Sequence, residues 1–174
     1  MANLRAASVF LLGAVVVSGC GAAPKTLHPT VVVDGSFALD DAAGVHAALA
    51  AWELAAPEIR FGVVQQSRAD ALRGARAPAD DTIYLLRVDA DTDPACPHAI
   101  TPGAAGETLE GVICLVAPRM GTLSKHVAMH ELGHAIDLPH RSYPSCMTAV
   151  IAPDIEAPTD GDVALLRQRW AGHT

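Results

Sequence analysis

The eleven residues His130-Glu131-Leu132-Gly133-His134-Ala135-Ile136-Asp137-Leu138-Pro139-His140 constrain this chain more than any other feature. On an α-helix, positions i and i+4 stack on one face, so His130 and His134 present their imidazoles to a single point. Glu131 lies one residue beyond the first histidine. It cannot share that corner of a tetrahedral site, but it reaches a water held there. His140 supplies a third nitrogen if the chain turns back sharply after the helix. Three protein ligands and one water are the arrangement of a catalytic zinc, whereas structural zinc sites fill all four corners. Such an ion lowers the pKa of its water to about 7. An isolated His-Glu-x-x-His also occurs on ordinary helix surfaces. The third histidine, and the placement on an expected helix after an expected strand, separate this instance from those.

The pattern resembles the metzincin zinc peptidases, and within them the matrixin-like catalytic domains, whose motif runs HExxHxxGxxH and then a Met-turn. His130, Glu131, His134 and His140 match it position by position. Met147, in Pro144-Ser145-Cys146-Met147, takes the place of the methionine that packs beneath the metal. The resemblance implies an α+β zincin domain. Its parts are a twisted mixed sheet with an antiparallel edge strand, an active-site helix and a C-terminal helix. It also implies one catalytic Zn2+, Glu131 as general base, and an extended peptide or protein substrate paired to the edge strand. Pro97 to Gly103 resembles that strand, Ala47 to Phe61 the family's first helix and following strand with Trp52 in place, and Thr148 to Pro153 the wall of the specificity pocket. Ala149, Val150 and Ile151 there imply an apolar preference. One position departs from the family: Asp137 stands where the motif has glycine. The turn there needs positive φ, which Asp tolerates at a cost of about 1 kcal/mol. Asp137 could instead approach the metal or hydrogen-bond a ligand histidine.

Periodicity supplies the rest of the domain. Thr30 to Val33 reads as a strand, Asp40 to Ala56 as a helix, Ile59 to Val64 as a strand, and Ser67 to Asp81 as a loop or short helix. Thr82 to Val88 and Gly111 to Ala117 read as strands, and Cys96 to Thr101 as a short extended edge segment. Ser124 to Asp137 reads as a helix with Ser124 at its N-cap, and Asp160 to Trp170 as a final helix capped by Thr159. Asp160 and Asp162 in its first turn suit the helix dipole. Asp89, Asp91 and Asp93 alternate like the start of a calcium loop, but Pro94 and Ile100 fall where that loop needs Gly and Glu, so no motif supports calcium. His126 reads as a solvated helix residue. His98 falls where some matrixins bind a structural zinc, but no partner ligands are evident and none is assigned.

At the other end, Arg5 precedes an apolar run from Val9 to Val17 that is shorter than the roughly 20 residues a spanning helix needs. It closes in Val17-Ser18-Gly19-Cys20, which resembles the lipobox of bacterial lipoproteins. That resemblance implies a signal peptide over residues 1–20, acylation of Cys20, a tether over 21–29 and the peptidase domain over 30–174. The product would be an exported protein anchored in a membrane, and Gly21 favours the outer one. Export implies an oxidising compartment. Of Cys96, Cys114 and Cys146 one must stay unpaired, and sequence does not settle which. Cys96–Cys114 is the expected disulfide, because their segments read as neighbouring strands. A net charge of −7 without a basic cluster excludes nucleic acid as a partner. A monomer is expected. Two other readings remain open: a non-enzymatic zinc-binding lipoprotein, and a zinc hydrolase of cell-wall peptide links.

Overall fold

The computed structural model describes residues 28–171. The expected signal segment with Cys20, and the tether as far as residue 27, lie outside the described residues. Strands β1 (Thr30–Asp34), β2 (Gly62–Gln66), β3 (Thr82–Val88), β4 (Gly106–Leu109) and β5 (Val112–Val116) form one sheet in the order β2-β1-β3-β5-β4. All pairings are parallel except β4 with β5. Helix α1 (Leu39–Ala55) links β1 to β2, and α2 (Arg68–Ala75) links β2 to β3. A short α3 (Ala117–Met120) and a 3-10 turn lead from β5 into α4 (Ser124–Ala135), and α5 (Asp160–Ala171) closes the domain.

Alternation along the strands decides which face covers what. Val31, Val33, Ile83, Leu85, Ile113 and Leu115 point toward α1 and α4 and make the main core with Trp52, Met129 and Leu132. Val32, Leu86, Val88, Val112, Cys114 and Val116 point to the other face, under α2 and the loop before β4. Trp52 joins the two helices of the main core: it is fully buried, and its indole N–H donates to the carbonyl of Met129 at 2.9 Å. That bond fixes the register of α1 on the helix that bears the first two histidines.

Four expectations need correction. The edge strand is Gly106–Leu109, not Pro97 to Gly103; residues 96–98 bend and 99–101 stay outside any ladder, because the Cys96 N–H is spent on Asp93 O, the Thr101 N–H on Glu107 Oε2, and Pro97 and Pro102 have no N–H to donate. The hairpin from β4 to β5 turns through Glu110 and Gly111, both at positive φ, as a two-residue hairpin loop requires. Strand β2 begins at Gly62, later than Ile59, since Ile59 and Phe61 turn into the core below the sheet. Ser124 does not cap α4: it is the first helical residue, buried against Gly44 of α1, and its hydroxyl makes no cap bond. Finally, His126 is not solvated. Its side chain is 11% exposed and faces Glu156 at 3.5 Å.

Candidate metal centre

Helix α4 delivers the first two imidazoles. His130 and His134 sit one turn apart with their Nε2 atoms 3.1 Å from each other. Each ring is fixed from behind. His130 Nδ1–H donates to the carbonyl of Cys146 at 2.9 Å, and His134 Nδ1–H donates to the carbonyl of Leu138 at 2.7 Å. With Nδ1 so engaged, each ring carries its lone pair on Nε2, the tautomer a metal requires.

The third imidazole arrives through the end of α4. The helix stops at Ala135, and Asp137 adopts φ 77°. Asp137 N donates to His134 O at 3.0 Å and Leu138 N to Gly133 O at 2.9 Å. These are the paired bonds of a Schellman turn, with aspartate where glycine is usual. Its carboxylate neither approaches the histidines nor bonds to one. Arg169 of α5 grips it instead by two bonds of 2.6 and 2.8 Å, and the neighbouring Trp170 donates to Ile136 O at 3.2 Å. The last turn of α5 therefore clamps the strained turn from outside. Arg169→Ala is expected to weaken zinc binding several-fold, roughly the effect of losing an outer-shell support. In an Asp137→Gly background, where positive φ is free of strain, the same substitution should be silent. Zinc titrations of the four proteins check this; equal losses in both backgrounds would contradict the clamp.

Beyond the turn, His140 comes back over the helix. Its ring centroid lies 5.2 Å from that of His130 and 4.7 Å from that of His134. One ligand atom from each of the three lies within 4.8 Å of the others. The set grades outward, from buried His130 to exposed His140, so the centre opens on one side. Burial holds His130 down to about 4, against the opposing bond to Cys146, and it also lowers His134. Both rings are therefore neutral near pH 7, ready to bind a cation. Three neutral imidazoles on one open-sided point fit a zinc ion.

Glu131 is buried beside this point. Strand β4 covers it: the Thr108 hydroxyl donates to Glu131 Oε2 at 2.6 Å, and a Cβ on Gly106 would fall 2.8 Å from Glu131 Cγ. Only glycine lets the strand lie this close. Burial pushes the carboxyl up to about 7, opposed by His134 and by the Thr108 bond. Neither Thr108 nor Gly106 stands out in the sequence, since nothing local to the Gly106-Glu107-Thr108 segment points toward Glu131.

Met147 lies under the helix and is fully buried. A Cβ on Gly133 would meet its sulfur at 2.2 Å, so the thioether packs against the helix in the space that a side chain at Gly133 would fill. The loop that carries it is tied to α5 by Asp162, which has no exposed surface. Asp162 accepts from Ser145 Oγ at 2.5 Å, Cys146 N at 3.2 Å, Thr159 N at 3.0 Å and Thr159 Oγ1 at 2.8 Å, with Arg141 at 3.2 Å. Thr159 caps α5 as expected, accepting from Asp162 N at 3.3 Å. Asp162 itself was legible only as a first-turn acid favoured by the helix dipole, a reading that misses its burial.

Cys96 and Cys114 are joined in a disulfide with Cα atoms 5.9 Å apart, and Cys146 is free and buried. Asp91 pairs with Arg119 of α3 and accepts from Gly103 N, and Asp93 accepts from Asp89 N and Ala95 N, so both carboxylates already serve structural partners.

No family model and no curated protein matches the sequence. Among solved structures, the chain is similar to archaemetzincin from Methanopyrus kandleri. The match has 15% identity and a TM-score of 0.53, and it covers 91% of this chain and 99% of that one. The chain thus has an archaemetzincin-like zincin fold.

Proposed function

We propose that this chain is a zinc-dependent endopeptidase in which His130, His134 and His140 hold the ion and Glu131 is the general base. The convergence of the three imidazoles on one open-sided point, with a buried carboxyl beside it, carries this reading. The zincin fold of the archaemetzincin match supports it.

A zinc ion bound there supplies a Lewis acid for the scissile carbonyl and lowers the pKa of an adjacent water to about 7. The protein's own groups do the rest. Glu131 takes the water's proton on its carboxylate and hands it to the leaving amine nitrogen as the C–N bond breaks. Its displaced pKa suits both halves of that task, since a base near the working pH both accepts and returns a proton. Thr108 holds Oε2, so Oε1 is the oxygen left to take the water's proton. Strand β4 ends the sheet, and an extended substrate pairs along its outer edge by backbone hydrogen bonds. Residues 148–153 wall the pocket beyond Met147. Val150 is 71% exposed there and presents an apolar surface to the substrate.

The matrixin-like character of the reading rests on the spacing of the motif. Export as a lipoprotein anchored through Cys20 belongs to the same proposal; the 1–20 segment and the Cys96–Cys114 disulfide support it. Digestion of a broad library of unstructured peptides, with and without a zinc chelator, tests the function. Chelator-sensitive cleavage after addition of zinc is expected. Cleavage confined to cell-wall peptide links would move the substrate class, and a protein that binds zinc but cleaves neither would be a binding lipoprotein.

A further inference from the structure

Cys114 lies on the face of β5 turned away from α4, as do Val112 and Val116, whereas Ile113 and Leu115 face the histidine-bearing helix. Cys96 and His98 meet it there from the turn before β4. One ligand atom from each of Cys96, His98 and Cys114 lies within 4.8 Å of the others. His98 Nε2 is buried without a hydrogen-bond partner, while the ring bonds to the backbone of Glu107. Because Nε2 takes no part, that bond falls to Nδ1. It sets the tautomer with an unshared pair on Nε2, the same support from behind that orients His130 and His134. An unsatisfied buried nitrogen costs about 1–3 kcal/mol, which a ligand at this point would recover.

We infer that Cys96, Cys114 and His98 form a second metal site, closed by the disulfide and opened by its reduction, that takes a thiophilic divalent cation such as Zn2+. Two thiolates and an imidazole are a regular zinc donor set, with Zn–S near ~2.3 Å and Zn–N near ~2.0 Å. Such bonds place the donor atoms roughly 3.5–4 Å apart, so the two sulfurs, joined in the disulfide, must part on reduction to admit the ion, while His98 already lies within reach of both. Glu107 pairs with Cys114 across β4 and β5, so its side chain stands on the same face and leaves the fourth position to it or to water. A dithiol is one reductant that opens the disulfide. One of its thiolates attacks Sγ of Cys96, the residue of the pair that keeps some exposure, and the Cys96–Cys114 bond breaks. The second thiol then closes the reductant's own disulfide, leaving both cysteines as thiols after a two-electron transfer. Binding of the cation releases their two protons. One crosslink between the turn and β5 is thereby exchanged for another, on the sheet face opposite the three-histidine centre.

Cobalt(II) distinguishes the two sites, because thiolate ligation gives an intense near-ultraviolet charge-transfer band that imidazole ligation lacks. The full chain carrying Cys20→Ser and Cys146→Ser retains Cys96 and Cys114 as its only cysteines. After reduction by a phosphine, this protein should bind about one more cobalt ion per chain than its oxidised form, and show the thiolate band. Adding His98→Ala should weaken that extra ion at least about tenfold while the far-ultraviolet circular dichroism stays unchanged. Equal cobalt in the oxidised and reduced forms overturns the proposal, as does an extra ion indifferent to His98→Ala. Loss of the folded spectrum on reduction overturns it too, since the cysteines would then serve only as a staple.

Discussion

Glu131→Gln is expected to lower peptide hydrolysis by about 10²- to 10⁴-fold, the usual contribution of a positioned general base, while zinc stays bound. Glutamine keeps the volume under β4 and the bond from Thr108 but cannot take a proton. The same variant reports on the carboxyl's environment through the stability of the metal-free protein. Glu131 is raised by burial to about 7 from an ordinary value of 4.5, so the folded state holds its proton longer than the unfolded chain. Its contribution to stability is present at low pH and is lost as pH rises from about 4.5 through 7. His130, held down to about 4 by burial, acts in the opposite direction: the unfolded chain binds the extra proton, and stability is lost as pH falls from 6.5 toward 4. Each is worth on the order of 3 kcal/mol, so in the parent they largely cancel across this window. Removing the carboxyl exposes the histidine slope. Relative to the parent, the variant should gain about 3 kcal/mol between pH 4 and 8. Urea unfolding of both metal-free proteins across that range measures the difference. A constant offset would mean that Glu131 is not desolvated in the way its position requires.

Asp162→Ala should cost about 3–5 kcal/mol of stability, the range for stripping one partner from a buried charged network. Ser145, Cys146 and Thr159 would lose their shared acceptor at a buried position. The loss would reach the centre by a short route. His130 is oriented by the carbonyl of Cys146, and the N–H of the same residue is held by Asp162. Zinc affinity should fall by about 10- to 100-fold, as when other supports of ligand histidines are removed. Burial raises the Asp162 carboxyl, but its bonds to Ser145, Thr159 and Cys146 outweigh burial and leave it below the ordinary value. Its contribution is thus present above about pH 4 and is lost as pH falls through the folded value. Chemical denaturation and zinc titration of Asp162→Ala and the milder Asp162→Asn test this. A folded Asp162→Ala protein with the parent's zinc affinity would show that the loop needs no such tie.

The elements best read in the sequence are those whose pattern is local. Strand β3 lies at Thr82–Val88 as its apolar run predicts, and the spacing of His130 and His134 needs only helical geometry. The misread elements depend on contacts made outside their own segment. β4 is four residues long and half-buried throughout, with no alternation to show, and it exists because β5 pairs with it and Glu131 lies beneath it. Ser124 looks like a cap until α1 brings Gly44 against it. Asp137 breaks the motif's glycine rule because Arg169, far along in α5, offsets the strain. Asp162 is misleading in the same way: an acid in a first turn is ordinarily solvated, and only the returning Ser145–Met147 loop buries it.

The most direct test of the account is the zinc bound by the full chain in its oxidised form, compared with His134→Ala. About one tightly held zinc per chain is expected in the parent, coordinated by three imidazole nitrogens at ~2.0–2.1 Å in X-ray absorption, and none held tightly by the variant. No zinc in the parent, or zinc retained unchanged without His134, would contradict it.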